Sequence, residues 1–206
     1  MEILNKEPKL SINGQPYSPP IGYSYRYATL KNNFHSVPVV HLSLAQGEGA
    51  RSTIIYSHGN SSDLGVSLKF ITLLAEFHKA DFVVYDYTGY GLSSMEETTP
   101  SSISEDLEIV LAWIDRPLSE ITLLGFSLGC FPTAKAASKH KVKAVALLAP
   151  MASLFSIFEE NLTPYTFFKE DEFCLLEIVE NIESHIFIAH SRDDSIIPFR
   201  HSQIIY

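Results

Sequence analysis

The chain has 206 residues, the length of one ordinary domain of ~100–200 residues. Hydrophobic residues make up 46% and charged residues 19%, enough apolar material for a sizeable core, which excludes intrinsic disorder as the main state. Fifteen Lys and Arg against 24 Asp and Glu give a net charge of −9. That balance argues against a phosphate-tracking surface and against nucleic acid as a partner. The two cysteines, Cys130 and Cys174, stand far apart. They make no disulfide scaffold and no cysteine-rich zinc site, and they suit a reducing, cytoplasmic location.

The most apolar stretch, Ala144 to Phe158, is interrupted by Pro150, Ser153 and Ser156, too short for a span of ~20 residues. The N-terminus shows no positive start followed by an apolar run, so no signal peptide is expected. Glu2 stands where myristoylation needs glycine, and no cysteine lies near the start. Any membrane contact is then expected to be peripheral.

Residues 1–25 are polar and punctuated by Gly14, Pro16, Pro19, Pro20 and Gly22, and read as an irregular lead-in. Tyr25–Leu30 is a weak strand. Val37–Leu44 is a stronger one, with Pro38 tolerable at its start or on an edge. Thr53–Ser57 is a short strand, and Asp63–His78 carries Leu64, Leu68, Ile71 and Ala75 at helical spacing. Phe82–Asp86 is a buried strand. Ser102-Ile-Ser-Glu105 has the form of a capping box for a helix with Leu107, Val110, Leu111 and Ile114 on one face. A strand at Ile121–Leu124, a helix at Leu128–His140 and a strand at Val142–Leu148 follow. Phe173–Glu180 reads as helix, Ile186–His190 as strand, and Pro198 begins a last helix. Short apolar strands alternating with amphipathic helices predict an α/β fold, a mostly parallel sheet with helices on both faces. Such a sheet places its site at the carboxyl ends of the strands. No G-x-G-x-x-G follows an early strand, so no dinucleotide or other cofactor is expected, and no metal.

Of four loops at those strand ends, three carry candidate chemistry. Gly125-Phe-Ser-Leu-Gly129 is G-x-S-x-G between a predicted strand and a predicted helix, the context a nucleophile elbow requires. The tight turn strains Ser127 and projects its oxygen, while the following helix N-terminus favours a developing oxyanion. His58-Gly-Asn-Ser-Ser-Asp-Leu-Gly65 follows an earlier strand, with Ser62 or Asp63 in place to cap the next helix. Tyr85-Asp-Tyr-Thr-Gly-Tyr-Gly-Leu-Ser93 reads as a packing turn with no chemistry of its own. His190-Ser-Arg-Asp-Asp-Ser-Ile-Ile-Pro198 offers two carboxylates, Asp193 and Asp194, of which Asp194, followed by Ser-Ile-Ile-Pro, better fits the position of a triad acid.

The set His58-Gly-Asn, Asp63-Leu-Gly65, Tyr85-Asp-Tyr, Gly89-Tyr-Gly91, Gly125-x-Ser-x-Gly129 with Pro132-Thr, and His190…Asp194 resembles the α/β-hydrolase superfamily. More closely it is similar to the serine hydrolases that include the mammalian protein depalmitoylases. The resemblance runs from about Val37 onward. It implies residues 1–36 as a lead-in with a first strand and 37–206 as one hydrolase domain. It also implies Ser127 as nucleophile, Asp194 as acid, and the backbone amides of Leu128 and Asn60 as oxyanion hole. The substrate implied is a small-molecule or acylated-protein ester or thioester. The family departures are the missing N-terminal cysteine cluster, Ser191 in place of glycine, and the base.

The triad order expects a histidine ~24 residues past the acid, beyond one more helix and strand. Twelve residues follow Asp194, and their one histidine is His201. The expectation is therefore a hydrolase domain lacking its last strand and helix. Its rivals are a hydrolase with His201 or His58 as a non-standard base, and an inactive relative kept for binding. Phe155, Phe158, Tyr165, Phe167 and Phe168 are candidates for an apolar acyl pocket or for core under a loop.

Overall fold

The computed structural model describes residues 2–4, 10–12, 15–31, 35–45, 52–158, 171 and 173–206. Ten strands are described: β1 (Glu2–Leu4), β2 (Ser11–Ile12), β3 (Gln15–Pro16), β4 (Tyr23–Lys31), β5 (Ser36–Leu44), β6 (Thr53–Ser57), β7 (Asp81–Tyr85), β8 (Ile121–Phe126), β9 (Ala144–Leu148) and β10 (Ile186–Ala189). The helices are α1 (Leu64–Phe77), α2 (Pro100–Trp113), α3 (Cys130–Lys139), α4 (Leu176–Val179) and α5 (Arg200–Ile205). Among the described residues, none of these helices is long and apolar enough to cross a membrane.

One sheet holds eight of the strands in the order β1-β4-β5-β7-β6-β8-β9-β10, and β2 and β3 form a separate hairpin. From β7 to β10 every pairing is parallel, and β1, β4 and β5 join antiparallel. The mostly parallel α/β architecture expected from the sequence is present. The sheet also reaches back into the stretch read as an irregular lead-in, through Glu2–Leu4 and the start of β4. Those pairings are long-range and leave little trace in local composition.

The period of two along each strand sorts side chains to two cores. Ile55, Val83, Tyr85, Leu123 and Leu147 face α2 and α3, where Leu107, Val110 and Ala134 are buried. Tyr56, Phe82, Val84 and Leu124 face α1 and its buried Leu64, Leu68, Ile71 and Ala75. Burying each such Leu or Ile contributes about 1.5–3 kcal/mol before entropy is counted. α1 begins where Asp63 accepts the Val66 N–H at 2.8 Å.

Two local expectations are corrected. Pro38 lies inside an interior strand. It is tolerated because the β7 ladder starts at Val39, and the Pro38 carbonyl accepts the Asp86 N–H at 3.0 Å. α2 starts at Pro100 rather than at Ser102, with extended Thr99 as its cap. Proline fits the first helical turn, where an N–H has no partner anyway. Ser102 is the inner member of the box: its N–H donates to Thr99 Oγ1 at 3.0 Å, and its Oγ accepts the Thr99 N–H at 2.8 Å. Glu105 instead accepts from Ser101 Oγ and lies 3.2 Å from His35 Nε2. Thr99→Ala is therefore expected to cost about 1 kcal/mol in a urea titration. Glu105→Gln should cost clearly less, because Glu105 takes no part in the cap.

Candidate active site

β8 leads into a single 3₁₀ turn, Ser127–Gly129, and α3 follows at once. Ser127 sits at φ 52°, a left-handed conformation that costs an ordinary side chain about 1–3 kcal/mol. The glycines on either side explain how the turn is this tight. A Cβ on Gly125 would lie 2.5 Å from the Gly129 carbonyl oxygen and 2.7 Å from Cys130 Cα. A Cβ on Gly129 would lie 2.0 Å from the Ser57 carbonyl oxygen. Both contacts are with backbone, so neither can be relieved by a rotamer change.

Ser127 opens onto a cavity of about 610 Å³. Three of the four predicted loops meet there: Gly59, Asn60, Ser61 and Ser62 after β6, Phe126 and Ser127 at the elbow, and Asp194, Ile196 and Ile197 after β10. Tyr56, Val66, Phe70, Leu148 and Ala149 complete a largely apolar wall. The predicted nucleophile, the predicted acid and Asn60 are thus brought together, and Leu128 follows Ser127 on the turn. Leu128 and Asn60 stand in the loops expected of them.

Residues 52–173 match the family described as alpha/beta hydrolase fold. The chain belongs to that family. It is 31% identical over 189 residues to alpha/beta hydrolase domain-containing protein 17C of Xenopus laevis, covering 88% of this chain and 58% of that protein. The human protein of the same name is 31% identical over 164 residues, 76% of this chain and 48% of its own length. The chain spans about half the length of these curated relatives. A putative alpha/beta hydrolase of Acanthamoeba polyphaga mimivirus is 26% identical over 212 residues, with 95% and 80% covered. Among solved structures, an esterase of Pyrococcus furiosus superposes with a TM-score of 0.70 at 19% identity, covering 89% of this chain and 77% of that one. An acetyl xylan esterase from a Paenibacillus species gives 0.68 at 15% identity, covering 98% and 79%. Likeness at such identities shows the fold alone.

In this α/β hydrolase the acid loop is well ordered by its own backbone. Asp194 Oδ1 accepts the N–H groups of Ile196 and Ile197, each at 2.9 Å. Burial pushes the carboxyl up, but the Ile197 and Ile196 amides and the His190 imidazole outweigh it and hold Asp194 below the usual carboxylate range. The His190 side chain is fully buried. Its Nε2–H donates to the Ile197 carbonyl at 2.8 Å, which leaves Nδ1 to accept from the Ser202 hydroxyl at 2.6 Å.

Among the described residues no histidine lines the cavity. His58 is buried, with Nδ1–H donating to the Gly59 carbonyl at 2.9 Å and Nε2 3.8 Å from Asp86 Oδ1. Burial pulls it down to about 4, against the pull of the Gly59 bond and of Asp63. His201 is buried in α5, and its Nδ1 accepts the Ala152 N–H at 3.2 Å. Burial, Arg200 and His190 bring it to about 4 as well. Each ring thus has Nδ1 bonded to backbone, its buried Nε2 has no hydrogen-bond partner among the described residues, and neither ring lines the cavity. Of the aromatic residues suggested for an acyl pocket, Tyr165, Phe167 and Phe168 and the side chains of Phe155 and Phe158 lie outside the described residues.

Sequence reading missed Asp86. It is fully buried at the end of β7, and burial raises it to about 6 despite the Leu92 and Leu64 amides. Oδ1 accepts the Leu64 N–H at the start of α1 at 2.6 Å, and Oδ2 accepts the Leu92 N–H at 3.0 Å. It thus ties the Asn60 loop to the Tyr87–Ser93 loop. The available signal was Gly91, at φ 51°, where a Cβ would lie 2.2 Å from the Asp86 carboxylate.

The depressed His201 carries a pH consequence. An unfolded histidine takes up its proton near pH 6.5, while folded His201 does so only near 4, so its contribution to stability is lost as pH falls through that window. His201→Gln keeps an acceptor for Ala152 and removes the titration. Relative to the wild type, the variant should gain stability steadily from pH 7 to 4.5 in urea titrations. A difference constant with pH would contradict the assignment.

Proposed function

We propose that the chain carries the acyl-transfer site of a serine hydrolase acting on esters or thioesters, in the manner of the acyl-protein thioesterases it resembles. The observation that carries this reading is the strained Ser127 opening onto an apolar cavity shared with Asp194 and Asn60. Ser127 Oγ attacks the acyl carbonyl carbon as its proton passes to a histidine base, or to water where no histidine is in reach. The carbonyl oxygen becomes an oxyanion facing the Leu128 and Asn60 amides, each donor being worth ~3–4 kcal/mol in the transition state. The alcohol or thiol leaves with a proton as the carbonyl reforms, giving an acyl-serine that water then cleaves. The walls Val66, Phe70, Ile196 and Ile197 suit the hydrocarbon of an acyl group. Asp194, held ionised, is placed to orient a histidine base.

A second reading, a fold retained for binding alone, draws on the cavity's described walls having no histidine. The two readings diverge in one experiment. A site without its base keeps ~10³–10⁴-fold acceleration over water from the oxyanion hole and binding. A fluorophosphonate should therefore label this chain slowly, with Ser127 Oγ bonding to phosphorus, fluoride leaving and the hydroxyl proton passing to water. Added imidazole, small enough for the cavity, should speed the labelling, and Ser127→Ala should abolish it. No label with or without imidazole, or label unchanged in Ser127→Ala, would favour the binding reading.

A further inference from the structure

The Tyr87–Ser93 loop, which by its sequence is a packing turn, touches the Asn60 loop at two points. Tyr87 Oη donates to the His58 carbonyl at 2.8 Å. Tyr90 Oη donates to the side-chain oxygen of Asn60. The His58 ring packs against both tyrosine rings, its centroid 4.3 Å from Tyr87 and 5.4 Å from Tyr90. The loop is itself fixed: Tyr90 N–H donates to the Tyr87 carbonyl at 2.9 Å, Ser93 N–H to the Tyr90 carbonyl at 2.9 Å, and Leu92 N–H to Asp86. The two contacts differ in burial. Tyr87 and His58 are fully buried, so their bond belongs to the core. Tyr90 is half-buried and Asn60 exposed at the rim of the cavity. The Ser62 N–H donates to the Gly59 carbonyl at 3.1 Å and closes the turn around Asn60, and the Tyr90 bond adds a side-chain tether on its open side. A backbone donor serves an oxyanion only when its direction is fixed beforehand.

We infer that Tyr90 is a positioning residue for acyl transfer: its hydroxyl holds the Asn60 side chain and so aims the Asn60 backbone amide at the oxyanion. This rests on the serine-hydrolase reading and goes beyond it by giving the Tyr-Gly-rich loop a part in the chemistry. Burial pushes the Tyr90 phenol up from its ordinary value, so it is a donor at neutral pH.

The test is Tyr90→Phe, which deletes the hydroxyl and keeps the ring. Ser127 phosphonylation by a fluorophosphonate, in the presence of imidazole, should slow about five- to tenfold, the size of one lost hydrogen bond. The loss should fall on the limiting rate, with the half-saturating concentration unchanged, because the cavity walls are untouched. Asn60→Ala removes the partner and keeps the amide, so it should slow the reaction similarly, and the double variant no further. An effect on half-saturation alone, or full additivity in the double variant, would overturn the inference. Amide hydrogen exchange at Ser62, whose N–H closes the turn around Asn60 on the Gly59 carbonyl at 3.1 Å, gives a readout that needs no reaction. It should rise about tenfold in Tyr90→Phe while β6 and β8 stay protected, and unchanged exchange would overturn the inference. If the wild type does not react, acyl transfer is refuted, and the exchange measurement still decides whether Tyr90 holds the loop.

Discussion

The approach of two backbones at Gly129 is the constraint on which the site depends. The first turn after β8 passes so close to the end of β6 that a single methyl on Gly129 would fall 2.0 Å from the Ser57 carbonyl oxygen. The ladder sets the same approach, pairing Ser57 with Gly125. Because β6 and β8 are neighbours in register, the loops that follow them leave the sheet side by side. That brings Asn60 to the rim of the cavity onto which Ser127 opens. The left-handed Ser127 is what remains when a strand must turn into a helix within three residues. Sheet packing on both sides over-determines the turn, so the strain persists.

Around this turn the protein uses backbone amides to fix its loops and side-chain oxygens to receive them. Asp86 joins the start of α1 to the Tyr-Gly-rich loop, and Asp194 gathers the amides of Ile196 and Ile197. The two carboxylates titrate in opposite directions for a stated reason. Asp86 is deep enough that burial prevails over its two amides, whereas at half-buried Asp194 the amides and His190 prevail. A histidine base would find the second carboxylate ionised at neutral pH. The buried histidines His58, His190 and His201 each have a ring nitrogen spent on a local partner, and these bonds knit loops together.

Much of this was legible in the residues. The buried stripe Leu64, Leu68, Ile71 and Ala75 and the strand–turn–helix context of Ser127 follow from local pattern. The structure places Asp194 on the cavity and gives Asp193 no such place. What local pattern did not carry was long-range. β4 owes its length to pairing with β5 across nine positions, Tyr23 to Lys31. Pro38 is accommodated because a neighbouring ladder stops one residue short of it. The Tyr90–Asn60 bond joins residues thirty apart, and nothing in either loop alone announces it. The cap of α2 was misplaced for a different reason. Ser102 belongs to a real capping box, but as its inner member, and Pro100 marks the true start.

Equilibrium unfolding of Gly129→Ala tests the central constraint most directly. The added methyl has only backbone to press against, so the account predicts a loss of about 3 kcal/mol or more, or no folded protein at all. A loss under about 1 kcal/mol, within the range of a tolerated core change, would contradict it. Such a result would mean that β6 and the turn after β8 are not held against each other, and that the geometry of Ser127 has some other origin.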